Sequence, residues 1–127
     1  MSWLMIVLLL IASYLILLPL LSYLSAKRLV GRMIESDLTS KTSGNRMIYF
    51  YSQNCPPCRS MTPIIDHLSE NNDTVVKVDV QSDPETAREF NIRATPTTLL
   101  MKDNKVTEVC LGAKSQKQLE TLLQKIT

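Results

Sequence analysis

Two cysteines three positions apart, in the run Cys55-Pro56-Pro57-Cys58, are the residues of this sequence best suited to chemistry. The surrounding pattern places Cys55 at the start of a helix, where unpaired N–H groups and the helix dipole favour an anionic sulfur. The thiolate is the form that attacks a disulfide. Cys58 lies one helical turn further on, close enough to form a disulfide with Cys55 and suited to a less exposed, resolving role. Pro57 fits the first helical turn, which needs no N–H donor. The motif therefore predicts a pair that alternates between dithiol and disulfide.

Other uses of a CxxC pair stay open from the residues alone. Half of a zinc site would need a second pair of Cys or His ligands, and only His67 and Cys110 are available. We expect His67 to be a solvent-facing helix residue and Cys110 to be a small apolar residue of the core or of an edge strand. A buried structural disulfide is a second alternative, although strand-to-helix corners are usually exposed. A metallochaperone is a third, but its usual order of strands and helices differs from the one predicted here.

Hydrophobic periodicity predicts one α/β domain over residues 46–127. Short runs of β-branched and aromatic residues predict strands, and apolar residues that recur every three or four positions predict helices. The predicted strands are 47–51, 74–80, 97–101 and 105–110, with a hairpin at Lys102-Asp103-Asn104. The predicted helices are 57–71, 83–90 and 115–126, with Asp83 and Ser115 as N-caps. The residues expected to face the core are Met61, Ile64, Ile65, Leu68, Met101, Leu119, Leu122, Leu123 and Ile126. The order β-α-β-α-β-β-α indicates a mixed sheet flanked by helices.

The whole pattern resembles the thioredoxin family. The resemblance covers about residues 47–126, and it rests on Phe50, the CxxC motif, Pro63, residues 77–80, residues 90–97 and Gly112. It implies a thioredoxin-like fold in which Pro96 is cis and lies beside the active-site disulfide. Such a bond is accessible, because a cis X-Pro peptide costs only about 0.5–1 kcal/mol.

The resemblance also implies the residues of an active site. Cys55 and Cys58 would be catalytic, and Thr95 would offer its backbone N–H and C=O to an extended segment of the substrate. The rest of the implied substrate-binding surface consists of Pro56, Pro57, Pro96 and Gly112. The implied redox group is the Cys55–Cys58 disulfide, with no metal or flavin. No nicotinamide site is expected either, since the sequence has no glycine-rich phosphate loop, and the electrons would come from a separate protein donor.

Several positions depart from the family pattern. Asn54 replaces the Trp that usually precedes the first cysteine, and Pro56 replaces the usual Gly of the motif. Tyr49 stands where the family has a buried acidic residue that is thought to help deprotonate the resolving cysteine. A tether is also expected in place of the opening β-α unit of the family. We therefore do not expect the proton route or the reduction potential of the family to transfer unchanged.

Residues 1–26 contain no charged side chain and predict a transmembrane anchor. The apolar stretch from Trp3 to Leu24 would cover roughly 33 Å as a helix, enough for a hydrocarbon core of about 30 Å. A cleaved signal peptide is the rival interpretation, but it would need a basic N-terminus and a shorter apolar run. A buried helix of a soluble protein is a third interpretation, although this domain is too small to cover so long a segment. Residues 27–45 are expected to form a helical extension, to about Glu35, and then a solvated linker.

The distribution of charge separates the N-terminal flank from the folded part. Residues 46–127 carry ten basic and ten acidic side chains, so the net charge of +2 comes entirely from residues 27–41. A neutral domain argues against nucleic-acid binding. Lys27, Arg28 and Arg32 follow the apolar stretch, and the positive-inside rule then favours a cytoplasmic domain, with a periplasmic domain as the alternative.

Together these features predict a membrane-tethered thiol–disulfide oxidoreductase that reduces protein disulfides. Its expected partners are protein disulfide substrates, a protein electron donor and the lipid bilayer. One alternative is a tethered binding module in which the thioredoxin-like groove recognises a partner and redox turnover is secondary. Another is an exported disulfide oxidase or isomerase, which would follow if the domain lies outside the cytoplasm.

Overall fold

The computed structural model describes residues 2–28, 30–31 and 44–127. It begins with helix α1, Ser2–Lys27, whose large apolar side chains are exposed. Within the described residues, α1 is the one helix that is long and apolar enough to cross a membrane, with a mean hydropathy of 2.9 in Ser2–Ser25. A signal sequence near an N-terminus can also form a long apolar helix. Helix α1 therefore fits both a membrane span and a signal sequence.

The predicted helical extension does not continue directly from α1. The helix ends at Lys27, and Arg28, Val30 and Gly31 form a turn. Gly31 has a φ of 86°, a left-handed conformation that glycine adopts without strain and that stops a helix. Its N–H donates to the carbonyl of Val106, 2.6 Å away. Leu29 and residues 32–43, which hold the rest of the predicted extension and linker, lie outside the described residues, so the division of the chain at residues 26 and 45 stays a prediction.

The domain that follows has the predicted order of strands and helices. Its elements are β1 Arg46–Tyr51, α2 Pro56–Glu70, β2 Val75–Asp79, α3 Pro84–Glu89, β3 Thr97–Lys102, β4 Lys105–Leu111 and α4 Gln116–Gln124. The predicted caps are present: the side chain of Asp83 accepts from Thr86 N–H, and Ser115 forms a reciprocal capping box with Gln118. The α/β fold class is therefore confirmed.

The four described strands form one mixed sheet in the order β2-β1-β3-β4. Strand β1 pairs parallel with β2 and antiparallel with β3, and β3 pairs antiparallel with β4. The link between β3 and β4 is the expected tight hairpin, in which Asp103 and Asn104 both have positive φ, as two-residue hairpin turns require.

The sheet separates two apolar layers because successive side chains of a strand point to opposite faces. Met47 and Tyr49 of β1 face α2 and α4, where the predicted inward residues are buried except Ile64, which is partly buried. Ile48 and Phe50 face the other way, and the ring of Phe50 lies 5.6 Å from that of Phe90. The predicted core positions Met61 and Met101 are also buried.

Asn45 connects three distant parts of the domain at the end of the sheet that lies away from the cysteines. Its Nδ2 donates to the carbonyl of Ile126 at 2.9 Å, and its Oδ1 accepts from the N–H of Asp103 at 3.1 Å. Both bonds are lost in Asn45→Ala, so we expect the free energy of unfolding to fall by about 1–3 kcal/mol. Urea unfolding of the detergent-solubilised protein measures this. Gln124→Ala, which removes an exposed amide of α4, is the control, and equal midpoints for the two variants would contradict the prediction.

Candidate active site

The strand pairing gathers the predicted site residues at one end of the sheet. The end of β1 pairs with the start of β3 (Phe50 with Thr97), and the start of β3 pairs with the end of β4 (Thr97 with Leu111). The cysteine motif follows β1, Thr95 and Pro96 precede β3, and Gly112 follows β4. All three segments therefore lie at the same edge, although they are distant in sequence.

Cys55 and Cys58 form a disulfide across the first turn of α2. Cys55 is the N-cap residue of α2, in extended conformation, and its Sγ accepts from the N–H of Cys58 at 3.3 Å. That N–H, together with the dipole of a 15-residue helix, favours negative charge on Cys55 Sγ once the disulfide is opened. Cys55 is 7% exposed and Cys58 is 1% exposed, so Cys55 is the more accessible of the two sulfurs.

Pro56 and Pro57 occupy the first two positions of α2 and are exposed beside the disulfide. Neither has an N–H to leave unpaired at the helix start. Cys58 is consequently the first residue of α2 with an amide proton, which it shares between the Cys55 carbonyl at 3.1 Å and Cys55 Sγ at 3.3 Å.

The loop before β3 has the conformation that the resemblance implied. The Thr95–Pro96 peptide is cis, Pro96 is buried and Thr95 is partly exposed. The N–H of Gly112 donates to the carbonyl of Pro96 at 2.9 Å, which joins two of the predicted residues directly. Gly112 has a φ of 80°, so a side chain here would be strained.

The hydroxyl groups of Tyr49 and Thr62 lie within hydrogen-bonding distance of each other next to Cys58, and the sequence analysis did not predict this pair. The phenol oxygen of Tyr49 is 3.1 Å from Oγ1 of Thr62 and 3.3 Å from the carbonyl oxygen of Cys58. The Thr62 hydroxyl donates to that same carbonyl at 2.8 Å. The sequence signal was weak: Thr62 lies four residues after Cys58, the spacing at which a hydroxyl can bond back to a helix carbonyl.

His67 and Cys110 are the remaining candidate metal ligands of the sequence. His67 is exposed on α2, as expected, and the described residues contain no cluster of three or more Cys, His, Asp or Glu that could hold a metal ion. Cys110 is half-buried on β4 and packs against the α2–α4 layer, in line with the prediction. Burial, and then the charge of Glu108, raise the pKa of the Cys110 thiol, so this cysteine is a poor nucleophile near neutral pH.

Comparison with known proteins gives a consistent result. The thioredoxin family model matches residues 30–125. The chain is 33% identical to a thioredoxin of Chlamydia trachomatis over 93 residues, which is 72% of this chain and 91% of that protein. It is 29% identical to a thioredoxin of Listeria monocytogenes over 101 residues, 76% of this chain and 98% of that protein. The crystal structure of reduced Schistosoma mansoni thioredoxin pre-protein superposes with a TM-score of 0.61 and 33% identity, covering 71% of this chain and 86% of that one.

The family match begins earlier than the resemblance predicted from the motifs. It starts at residue 30, within the segment predicted as helical extension and linker, and it ends at residue 125 in the segment that follows α4. Thioredoxins are protein-disulfide oxidoreductases that act through a cysteine pair, and the Cys55–Cys58 disulfide of this chain fits that activity. The chain belongs to the thioredoxin family, and its domain is a thioredoxin-fold disulfide oxidoreductase.

Proposed function

We propose that this protein is a membrane-tethered thiol–disulfide oxidoreductase that reduces disulfides of protein substrates. The observation that carries the proposal is the asymmetry of the cysteine pair. Cys55 Sγ accepts from the first N–H of α2 and is the more accessible sulfur, whereas Cys58 is almost completely buried. This arrangement suits attack by Cys55 and resolution by Cys58.

The reaction proceeds in two exchanges. The Cys55 thiolate attacks one sulfur of the substrate disulfide, forms a mixed disulfide and releases the first substrate thiolate. Cys58 then gives up its proton and attacks Cys55 Sγ, which releases the second substrate thiolate and forms the Cys55–Cys58 disulfide. Two electrons pass to the substrate, and a protein dithiol must return them before the next cycle.

The loop before β3 supplies the substrate-binding edge. Thr95 is partly exposed next to buried Pro96, so its backbone can pair with an extended substrate segment in the manner of an added strand. The backbone bond from Gly112 to Pro96 holds this loop in place. Pro56 and Pro57, between the two cysteines, present an exposed apolar surface.

Helix α1 provides the tether in this proposal. Its length and hydropathy support a retained membrane span, and Lys27 and Arg28 at its C-terminal end support a cytoplasmic domain. A cytoplasmic position favours the reducing direction, because thiols are kept reduced in that compartment.

Two measurements test the proposal. The detergent-solubilised full chain, supplied with dithiothreitol as electron donor, should reduce the disulfides of insulin. A bacterial host expressing C-terminal fusions should show a fluorescent cytoplasmic reporter and an inactive phosphatase reporter, since the phosphatase needs export to fold. Absence of insulin reduction would refute the reductase assignment, and an active phosphatase fusion would favour the exported oxidase or isomerase instead.

A further inference from the structure

Tyr49 lies fully buried in β1, directly under the first turn of α2. Its ring stacks on that of Tyr51, with centroids 5.4 Å apart, so the ring is held in place by packing. Its hydroxyl is directed at the residue that carries the buried sulfur, since the Cys58 carbonyl is 3.3 Å away and the Thr62 hydroxyl is 3.1 Å away.

The donors and acceptors of this cluster can be assigned. Thr62 uses its single hydroxyl proton on the Cys58 carbonyl, at 2.8 Å, so its oxygen is left to accept from Tyr49. Tyr49 donates its single proton to the Thr62 oxygen or to the Cys58 carbonyl, and in either case the phenol is protonated. Burial raises the pKa of Tyr49; the bond with Thr62 opposes this, and the charges of Tyr51 and Asp66 add to the rise while Lys77 lowers it. The phenol is neutral near pH 7 and is fit to donate.

The cluster supports α2 at the turn where its own hydrogen bonding is weakest. Pro63 has no N–H, so the carbonyl four residues earlier, that of Arg59, loses its helical partner. Cys58 lies one residue before Arg59. Its N–H donates to the carbonyl and the Sγ of Cys55, and its carbonyl accepts from the hydroxyls of Thr62 and Tyr49, so both backbone polar groups of Cys58 bond to side chains.

We propose that Tyr49 and Thr62 are positioning residues for the resolving step: they hold Cys58 at the distance and angle needed to attack Cys55 in the mixed disulfide. This inference rests on the proposed function and concerns its second exchange only. Because Tyr49 already carries its proton, it does not accept the one that leaves Cys58. That proton passes to water or to the departing substrate thiolate, and the S–S bond that breaks is the one between Cys55 and the substrate.

Reaction of the reduced full chain with an aromatic disulfide, dithionitrobenzoate, separates the two exchanges. The first thionitrobenzoate is released when Cys55 attacks, and the second when Cys58 resolves the adduct, so stopped-flow absorbance gives two rate constants. All variants carry Cys110→Ser, so that the third thiol does not contribute.

Tyr49→Phe keeps the buried ring and removes the hydroxyl, and Thr62→Val keeps the shape of the side chain and removes its hydroxyl. We expect each to slow the second phase about 5–10-fold, a loss typical of a misplaced reacting group, and to leave the first phase within about two-fold. Thr62→Ser restores the hydroxyl and should restore the rate. Tyr51→Phe, in the same aromatic stack, should change neither phase.

The outcomes distinguish this inference from the proposed function. Failure of the wild-type chain to give a fast first phase would count against Cys55 as the nucleophile, and so against the function itself. A normal first phase with an unaltered second phase in both Tyr49→Phe and Thr62→Val would overturn the positioning role. Equal slowing of both phases, or no recovery in Thr62→Ser, would also overturn it, because the hydroxyls would then act only on the stability of the domain.

Discussion

Cys55→Ser is expected to lower insulin-disulfide reduction by at least about a thousand-fold, because a serine hydroxyl is not ionised at the N-terminus of α2 and does not exchange with disulfides. The substitution is nearly isosteric, so the fold should persist. Initial rates with dithiothreitol as donor measure the effect, and Cys110→Ser is the matched control that should keep the wild-type rate.

Cys58→Ser should block the second exchange of the reaction and leave the first intact. Cys55 keeps its place at the start of α2 and still attacks, but no buried thiol follows to release the captured substrate. The expected product is a stable adduct joined through Cys55, visible as an added substrate mass that dithiothreitol removes. Insulin reduction at the wild-type rate by either serine variant would show that the pair does not work as an attacking and a resolving thiol.

Charged residues placed in the middle of α1 should release the protein from the membrane. Arg at the centre of a spanning helix costs about 2.5–3.5 kcal/mol per residue on insertion, so Ile11→Arg together with Leu15→Arg should shift most of the chain out of the carbonate-washed membrane fraction. The helix is exposed along its length and is separate from the disulfide, so released protein should reduce insulin at about the wild-type rate.

The control for this experiment exchanges the same positions conservatively, as Ile11→Leu with Leu15→Ile, and should stay in the membrane fraction. The intact mass of the wild-type protein extracted from membranes should include residues 1–26. A double-Arg variant that stays bound to membranes would contradict the anchor proposal, and so would a wild-type protein that lacks these residues.

The sequence was sufficient for features that depend on neighbouring residues. The aromatic-rich apolar run of β1, the caps Asp83 and Ser115, and the turn at Asp103 and Asn104 are local signals, and the structure bears them out. The cis peptide at Pro96 was expected only through the family resemblance, because a proline alone does not specify its isomer.

Features that depend on contacts between residues far apart in the sequence could not be predicted in the same way. Helix α1 ends at Lys27, four residues before a left-handed glycine that bonds to β4, whereas the apolar periodicity alone favoured a longer helix. The sequence analysis noted Tyr49 only because it stands where the family has a buried acidic residue. Its pairing with Thr62 depends on how β1 lies under α2, and periodicity does not specify that distance.

The two prolines between the cysteines have a consequence for the energetics of electron transfer. Their rings fix φ at both intervening positions, so the segment has few alternative shapes after the disulfide opens. Each thiol therefore remains at high effective concentration relative to the other, and closing the ring again sacrifices little chain entropy. A dithiol that re-forms its bond so readily gives up electrons more easily than the same two cysteines would across a glycine-containing spacer.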